Sequence, residues 1–548
     1  MAVTLHRADS LRRLADERFD VLVVGAGITG AGAALDAAAR GLRTALIDKG
    51  DFASGTSSKS SKLVHGGLRY LQQKEIRLVY EALAERQLLR HTAPHLVRIL
   101  PFMIPIFSKD GLIPKPVAKV LGSAMWMYDL TGGARIGKLH KRISKEDALA
   151  HMPTLPAERL ASSYLYYDAR ADDARLTLAV ARTAADYGAA VVNYANLTEI
   201  LKDGTGRACG AIVEADGAEI RVSADAVVNA TGVWADDVRA IDEGRHPDTI
   251  RPAKGIHITV PWSKVRNDIA VVVPVPKDKR SVFVVPWGDD DGEPAFTYIG
   301  TTDTDYEGPL DDPPCTPDDI AYLLRAINHS VTTEITESDV LGTWAGLRPL
   351  VRSAPTERTA DLSRRHTVNR SASGVTTVTG GKLTTYRRMA ADAIDEVVDL
   401  LGRGGRSGTK RIRLAGAVGC DSPGLPAHLA ARYGGEARRV LALTADDPSL
   451  SAPLVPGLPY LRAEAVYAVR DEMATDLDDI FSRRTRARIL ARDATAAAAD
   501  DVASLLAPDL GWSEAEAERR AGAYRASIAD ERSSAHLPET VLDAAFGT

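Results

Sequence analysis

The chain has 548 residues, enough for two or three domains around a large buried core. Its 68 basic and 73 acidic residues give a net charge of -5, which argues against a nucleic-acid partner. Cys209, Cys315 and Cys420 lie far apart and show neither a metal-ligand spacing nor a disulfide framework, as expected in a reducing cytosol. Neither a signal peptide nor a run of about 18 apolar residues is found, so we predict no transmembrane helix.

The first fifty residues predict a βαβ unit that binds a dinucleotide. An apolar strand at residues 20–25 leads into Gly25, Gly27 and Gly30, and an alanine-rich helix and a second strand follow. Here Gly25 allows a tight turn, Gly27 lets a diphosphate approach the backbone, and Gly30 lets the helix pack on the strand. Asp48 ends the second strand, where it can accept hydrogen bonds from a ribose. Together with the positive helix N-terminus, this unit predicts an ADP-bearing cofactor, either FAD or NAD.

Two later features favour FAD. A predicted strand within residues 225–234 ends in Ala-Thr-Gly at 230–232, which resembles the second motif of two-domain FAD-dependent oxidoreductases. Another predicted strand meets Gly380 and Gly381, and a helix then runs from Lys382 to about Leu401. A helix N-terminus beside a lysine would stabilise the negative charge of reduced flavin, and an NAD enzyme would not need it.

The closest resemblance of the chain lies in the segment TSSKSSKLVHGGLRYL at residues 56–71, which resembles the FAD-dependent (aerobic-type) glycerol-3-phosphate dehydrogenases. The similarity continues at residues 299–306, 346–350 and 380–387, and at 466–473 and 483–485 it extends to the helical cap domain of that family. It covers roughly residues 18–530. The resemblance implies an α/β fold with a Rossmann-like FAD domain, an antiparallel-sheet substrate domain and a C-terminal α-helical cap domain.

We divide the chain accordingly into three parts. The FAD-binding domain is expected to be discontinuous, at residues 18–75, 156–245 and 340–402. Segments 76–155 and 246–339 have more strand-and-turn character and are assigned to the substrate-binding domain. After a glycine-rich linker at 402–408, residues 409–548 form the helical domain. It has no motif of its own, so packing or homodimerisation is its expected role.

The resemblance implies FAD-dependent oxidation of sn-glycerol 3-phosphate to dihydroxyacetone phosphate, by hydride transfer from C2 to flavin N5 and electron transfer to a quinone. Three alternatives stay open: a glycerophosphate oxidase that reduces O2 to peroxide, an amine or amino-acid oxidase of the same fold, and a flavin-binding sensor without turnover. The amino-acid oxidases would need a carboxylate clamp rather than several cations for a phosphate.

The phosphate of the substrate is a dianion and calls for fixed cations, for which the planar fork of arginine is well suited. By resemblance, the substrate-binding residues are Arg69, Tyr70, Arg348, Arg364 and Lys382, with Arg365 as a rival to Arg364. Proton removal from the C2 hydroxyl requires a general base within hydrogen-bond reach. His65 is the candidate, because imidazole titrates near neutral pH, and His257 competes with it. The predicted catalytic set is His65, Arg348 and Lys382.

By the same resemblance, the cofactor contacts are expected along the glycine turn, the serine-rich segment, the Ala-Thr-Gly motif and the last glycine pair. They are Gly25, Gly27, Gly30, Asp48, Ser57, Ser58, Ser61, Lys62, Leu63, Leu197, Gly232, Trp234, Gly381, Lys382, Leu383 and Thr384.

Residues 98–145 show the composition of an interfacial membrane anchor. This segment has nine basic and two acidic residues, a local charge of +7, in a chain of negative total charge. It also contains an apolar run at 99–107 and the cluster Met-Trp-Met-Tyr at 125–128. We therefore expect a cytoplasmic protein attached peripherally to the inner, anionic face of the membrane, the alternative being that these apolar residues are core.

Overall fold

The computed structural model describes residues 3–67, 75–108, 125–129, 136–276, 278, 280–288, 294–352 and 365–542. The strands, in chain order, are β1 (Arg18–Val24), β2 (Thr44–Ile47), β3 (Leu63–Val64), β4 (Val97–Phe107), β5 (Lys141–Ile143), β6 (Leu160–Ala171), β7 (Ala190–Val192), β8 (Asn196–Lys202), β9 (Ala208–Ala215), β10 (Ala218–Asn229), β11 (Ile250–Pro261), β12 (Ala270–Pro274), β13 (Ser281–Trp287), β14 (Phe296–Gly300), β15 (Thr304–Asp305), β16 (Gly342–Val351), β17 (His366–Arg370) and β18 (Thr376–Gly380).

The named helices, in chain order, are α1 (Arg7–Asp16), α2 (Ile28–Ala39), α3 (Ile76–Thr92), α4 (Lys145–His151), α5 (Asp173–Asp186), α6 (Ala235–Glu243), α7 (Trp262–Val265), α8 (Pro317–Asn328), α9 (Tyr386–Leu401), α10 (Ala427–Tyr433), α11 (Ala437–Asp446), α12 (Arg462–Glu472), α13 (Ala487–Leu490), α14 (Arg492–Ala497), α15 (Ala499–Leu510) and α16 (Glu514–Ser534). None of the described helices is both long and apolar enough to cross a bilayer.

The first sheet is the dinucleotide-binding sheet. Its strand order is β17-β18-β10-β1-β2-β7, and β8 and β9 continue antiparallel from β10. The inner strands β18, β10, β1, β2 and β7 run parallel. Residues 19–24 of β1 are buried on both faces, as is typical of a parallel strand covered by helices. The predicted βαβ unit is confirmed, because α2 lies between the parallel neighbours β1 and β2.

The second sheet is larger and mainly antiparallel. Its order is β15-β11-β14-β13-β12-β4-β6-β3, with β16 paired to β11 and β5 paired to β6. Its long antiparallel pairs are β4 with β6 and β11 with β16, while β12 and β4 run parallel. The predicted strands around residues 271 and 282 form the hairpin β12–β13. The two-domain architecture expected from the sequence is confirmed.

The second sheet contains strands that the predicted domain boundaries assign to the FAD-binding domain. Strands β3, β6 and β16 lie in it, although the predicted boundaries at 75, 156 and 340 place them with the FAD domain. The expected strand-and-turn character of residues 76–155 is wrong at its start, where the 17-residue helix α3 stands. The apolar run at 99–107 belongs to β4, and residues 102–107 of this strand are buried. The prediction that this run contacts a membrane is therefore wrong.

The C-terminal part is helical, as predicted, and shares a core with the second sheet. Leu341 and Trp344, beside and within β16, belong to the same buried apolar cluster as Phe481, Leu490 and Leu506. The part beyond residue 409 is therefore packed against the substrate side of the molecule.

Candidate active site

A cavity of about 1370 Å³ runs between the two sheets. The glycine turn after β1 lines it, and so do His65, Arg348 and Lys382. Its volume exceeds the roughly 300–1,000 Å³ of ordinary small-molecule pockets and suits an extended dinucleotide with a substrate beside it. The cavity brings together the predicted catalytic residues and all the predicted cofactor residues except Gly30 and Lys62.

The glycine turn has the geometry that its sequence predicts. Gly25 adopts φ +99°, and a Cβ there would stand 2.8 Å from the carbonyl oxygen of Ala230. A Cβ on Gly30 would overlap the carbonyl oxygen of Gly25, so Gly30 serves helix packing and does not line the cavity. Gly27 is the N-cap of α2 and lines the cavity. The positive end of α2 therefore faces the space where a diphosphate would lie.

Asp48 follows β2 and also lines the cavity. Its carboxylate accepts hydrogen bonds from the backbone N–H of Ala26 (2.6 Å) and of Gly50 (2.9 Å). Burial raises the pKa of Asp48 to about 6, because the two hydrogen bonds only partly offset the loss of water around the carboxylate. A ribose hydroxyl could donate to the remaining lone pairs of Asp48.

Trp234 supplies an independent test of whether FAD fits. Its indole Nε1–H is buried at the cavity and has no hydrogen-bond partner among the described residues. The ammonium of Lys49 lies 4.5 Å from the centre of its ring. Buried polar groups are rarely left unpaired, so this donor points to a polar group of a bound molecule. Leu197 and Gly232 line the cavity nearby, and the residues present fit the dinucleotide.

The segment after the short helix at residues 56–58 follows the cavity wall. Ser57, Ser58, Ser61 and Leu63 line it as predicted. Lys62 does not, because its ammonium turns towards Asp173 (3.3 Å) and the carbonyl oxygen of Ser58 (3.2 Å). Burial lowers the pKa of Lys62 to about 8. The Lys62 side chain therefore stabilises the loop and does not line the cavity, so it does not make the cofactor contact predicted for it.

Arg348 belongs to β16 and lines the cavity. Its guanidinium donates to the carboxylate of Asp303 (3.1 Å), the hydroxyl of Thr301 (3.2 Å) and the carbonyl oxygen of Thr302 (3.2 Å). The guanidinium passes close over Gly255, where a Cβ would stand 2.5 Å from Nη2. This fixed cation, with some solvent access, is suited to bind an anion.

His65 and Lys382, the other two predicted catalytic residues, also line the cavity. His65 directly follows β3, and its ring lies 6.4 Å from that of Phe283. Thr384 fixes its backbone, because the Thr384 hydroxyl oxygen is 3.2 Å from the His65 N–H and 3.4 Å from the His65 carbonyl oxygen. Lys382 stands at the start of the helical segment that leads into α9. Gly381, Leu383 and Thr384 line the cavity beside it.

The remaining predicted residues and their rivals fall into two groups. Arg69, Tyr70 and Arg364 lie outside the described residues. Arg365, the rival of Arg364, does not line the cavity and pairs with Glu75 at the surface (2.7 Å). His257, the rival of His65, is buried behind Ser61 and does not line the cavity either.

Sequence reasoning missed the contribution of the C-terminal domain to the cavity. Arg483 and Arg486 line its wall. The Asp51 carboxylate accepts from Arg483 (2.6 Å) and, through both oxygens, from Arg484 (2.7 and 2.9 Å). Arg486 donates to the carbonyl oxygen of Ser58 (2.6 Å). An available signal was the arginine run itself, because arginines between apolar residues require buried acceptors.

The chain matches two family models and several known proteins. A model described as FAD dependent oxidoreductase matches residues 20–387, and one described as C-terminal domain of alpha-glycerophosphate oxidase matches residues 389–517. Glycerol-3-phosphate dehydrogenase 2 of Mycobacterium tuberculosis is 40% identical, covering 98% of this chain and 92% of that protein. The mitochondrial glycerol-3-phosphate dehydrogenase of Mesocricetus auratus is 38% identical, covering 90% and 71%.

Among solved structures, the glycerol-3-phosphate dehydrogenase from Bacillus halodurans complexed with FAD superimposes with a TM-score of 0.77. It is 29% identical, and the match covers 96% of each chain.

Proposed function

The chain belongs to the FAD-dependent glycerol-3-phosphate dehydrogenase family, and on that premise we propose how its own residues oxidise sn-glycerol 3-phosphate to dihydroxyacetone phosphate. Arg348 and Lys382 bind the substrate phosphate, together with Arg69, Tyr70 and Arg364. The position of Arg348 in the cavity, held by Asp303, supports this role. Several fixed cations select a dianionic phosphate over the single carboxylate of an amino acid.

His65 is proposed as the general base that takes the proton of the C2 hydroxyl. Its place on the cavity wall and its backbone contacts with Thr384 support this role, because a base must be held within reach of the proton it accepts. Bound FAD supplies the acceptor for the C2 hydride. The positive end of the helical segment at Lys382 favours negative charge at that side of the cavity.

The observation that carries this proposal is the convergence of the glycine turn, His65, Arg348 and Lys382 on one cavity. It is tested by mixing the FAD-loaded enzyme with sn-glycerol 3-phosphate without oxygen and recording flavin absorbance. The flavin band should bleach, whereas glycerol without the phosphate should leave it unchanged over the same time. An unchanged spectrum with glycerol 3-phosphate would overturn the proposal.

The electrons then pass to a quinone rather than to O2. The dehydrogenase names of the relatives support an acceptor other than O2, although the C-terminal model is named after an oxidase. The experiment compares peroxide formation with reduction of a soluble quinone analogue under the same substrate concentration. Quinone turnover that exceeds peroxide production by a wide margin is the expected result, and stoichiometric peroxide would assign the oxidase activity instead.

Peripheral contact with an anionic membrane agrees with one exposed surface. Trp126, Met127 and Leu139 are about half exposed, at 54%, 43% and 50%. The Trp126 ring lies 5.0 Å from that of His140, so these apolar side chains belong to one region. Lys141 and Arg142 are exposed on the adjoining strand β5. Apolar and aromatic side chains next to cations are typical of an interfacial contact with acidic lipid.

A further inference from the structure

Three side chains of the second sheet hold the cavity segment at Ser60 and Ser61. Trp344 Nε1–H donates to the carbonyl oxygen of Ser60 (3.2 Å), and the Tyr298 hydroxyl donates to that of Ser61 (3.0 Å). The Nε2 of His257 lies 2.9 Å from the hydroxyl oxygen of Ser61. All three rings are buried; Trp344 and Ser61 line the cavity, whereas His257 and Tyr298 do not. The position of Ser61 is therefore fixed by side chains of the second sheet, and His257 acts on its hydroxyl from outside the cavity.

His257 is a neutral imidazole in this setting. It is 2% exposed and stacks on Trp344 with ring centres 4.7 Å apart and an angle of 7° between the planes. Burial holds the pKa of His257 well below its ordinary value, and the positive charges of Lys62 and Arg348 lower it further. A neutral imidazole has a hydrogen on one ring nitrogen and an acceptor lone pair on the other.

The surroundings decide which nitrogen of His257 bears the hydrogen. Nδ1 is buried and has no hydrogen-bond partner within the described ranges. A hydrogen there would leave a buried N–H donor unpaired, which native proteins avoid more strictly than an unpaired acceptor. The favoured tautomer therefore has the hydrogen on Nε2, which donates to Ser61 Oγ. The Ser61 hydroxyl can then donate its own hydrogen to a different acceptor. Because Ser61 lines the cavity, that acceptor can be a molecule bound there.

We propose that His257 is a positioning residue that fixes the Ser61 hydroxyl as a hydrogen-bond donor to the flavin ring of bound FAD. This inference rests on the proposed function, which places the flavin beside His65 and Lys382. It also gives His257 a role other than proton abstraction, because the ring is separated from the cavity by Ser61.

The test follows FAD release from the holoenzyme after dilution, through the fluorescence of the released flavin. Ser61→Ala should release FAD about fivefold faster, the usual effect of one lost hydrogen bond. His257→Asn should do the same, because its shorter amide does not reach Ser61. His257→Gln, whose amide nitrogen can take the place of Nε2–H, should stay close to wild type. The double variant Ser61→Ala/His257→Asn should be no faster than either single variant.

The proposal would be overturned if the double variant released FAD at a rate that multiplies the two single effects. It would also be overturned if His257→Gln and His257→Asn released FAD at the same rate. If the asparagine variant does not fold, the absorption bands of bound FAD decide. Ser61→Ala should shift these bands and His257→Gln should not, and a shift of the same size in both would contradict the inference. Flavin bleaching by glycerol 3-phosphate in the wild-type enzyme is measured separately. If the flavin is not bleached, the proposed function is contradicted. If FAD release is unaltered in the variants, only the role of His257 is contradicted.

Discussion

The guanidinium of Arg348 lies 3.1 Å from the carboxylate of Asp303 at the edge of the cavity. Arg348 comes from β16, whereas Asp303 belongs to the turn between β14 and β15. The pair therefore orients a cation before any substrate binds, which lowers the cost of ordering it later. A bound phosphate would find this guanidinium already in place.

Replacement of Arg348 tests this arrangement. Arg348→Lys should lower kcat/KM for glycerol 3-phosphate roughly 10- to 100-fold, because a point charge replaces a planar fork. Asp303→Asn keeps the cation and should mainly raise KM. Steady-state rates with a dye acceptor measure both variants, and FAD content serves as the control. Equal rates in Arg348→Lys and wild type would exclude a contact between Arg348 and substrate.

Replacement of His65 separates chemistry from binding. His65→Gln should slow anaerobic flavin reduction by roughly 10²- to 10⁴-fold, the usual contribution of a general base, without loss of bound FAD. Stopped-flow absorbance at saturating substrate gives this rate directly. The exposed residue His246 offers a matched control, and His246→Gln should reduce flavin at the wild-type rate. A less than threefold effect of His65→Gln would assign the base elsewhere.

Asp51 connects the loop after β2 to Arg483 and Arg484 of the C-terminal domain. Burial opposes its ionisation, but the two arginines outweigh burial and hold the pKa of Asp51 below its ordinary value. Asp51→Asn removes the carboxylate that both terminal nitrogens of the buried Arg484 guanidinium contact, while Arg483 keeps Asp478 and Asp479. It should lower the free energy of unfolding by about 3–5 kcal/mol. Chemical denaturation measures this loss, and the exposed pair of Glu516 with Arg519 provides the control. Glu516→Gln should have no measurable effect.

The Asp51 contribution should also depend on pH. A carboxylate with a lowered pKa stabilises the fold above its unfolded pKa, near 3.9, and this contribution is lost as the pH falls further. Denaturation of the wild type at pH 5 and at pH 3.5 should therefore differ more than denaturation of Asp51→Asn. Parallel losses in both proteins would contradict the role of this pair.

Asp48 predicts a pH dependence of FAD affinity. Its pKa is about 6 in the chain alone, and donation from ribose hydroxyls would favour the ionised form. FAD should therefore bind more weakly as the pH falls below about 6, because a proton must then be displaced. Titration of the FAD-free enzyme between pH 5 and 8 measures the change. Asp48→Asn should bind weakly at every pH and lack this dependence.

The membrane contact predicts a response to salt and to Trp126. Anionic vesicles should sediment the wild-type protein, and roughly 0.5 M salt should reduce the bound fraction, because screening weakens the attraction between charges. Trp126→Ser should bind less, while Tyr187→Ser, which removes another exposed aromatic side chain outside this surface, should bind as the wild type does. No binding to anionic vesicles at any salt concentration would exclude this surface as a membrane contact.

The local parts of the fold could be predicted from the sequence. The glycine turn can be recognised in the sequence because Gly25, Gly30 and the flanking apolar strands all lie within thirty consecutive residues. The helix after Lys382 has the same local character, and its predicted end at Leu401 agrees with the structure. These features depend on backbone conformation and periodicity, which adjacent residues determine.

The assignment of strands to sheets could not be predicted in this way. β6 and β16 read as apolar strands, but their partners β4 and β11 are distant in sequence, and pairing is decided by tertiary packing. The inward orientation of Lys62 has a similar cause. Asp173, its partner, lies on α5, more than a hundred residues away. The role of Arg484 was hidden for the same reason, since its acceptor Asp51 is separated from it by most of the chain.

The discontinuous first sheet has a consequence for synthesis on the ribosome. β1 and β2 emerge first, but β10 follows after residue 218 and β18 after residue 376, with strands of the second sheet made in between. The parallel core of the first sheet can therefore be completed only after β18, which ends at Gly380, has been synthesised. Asp51 can form its ion pair with Arg484 only later, after Arg484 has left the exit tunnel. The complete wall of the FAD cavity therefore exists only after Arg483 and Arg486 have been synthesised, and until then the apolar strands of the first sheet are prone to aggregation.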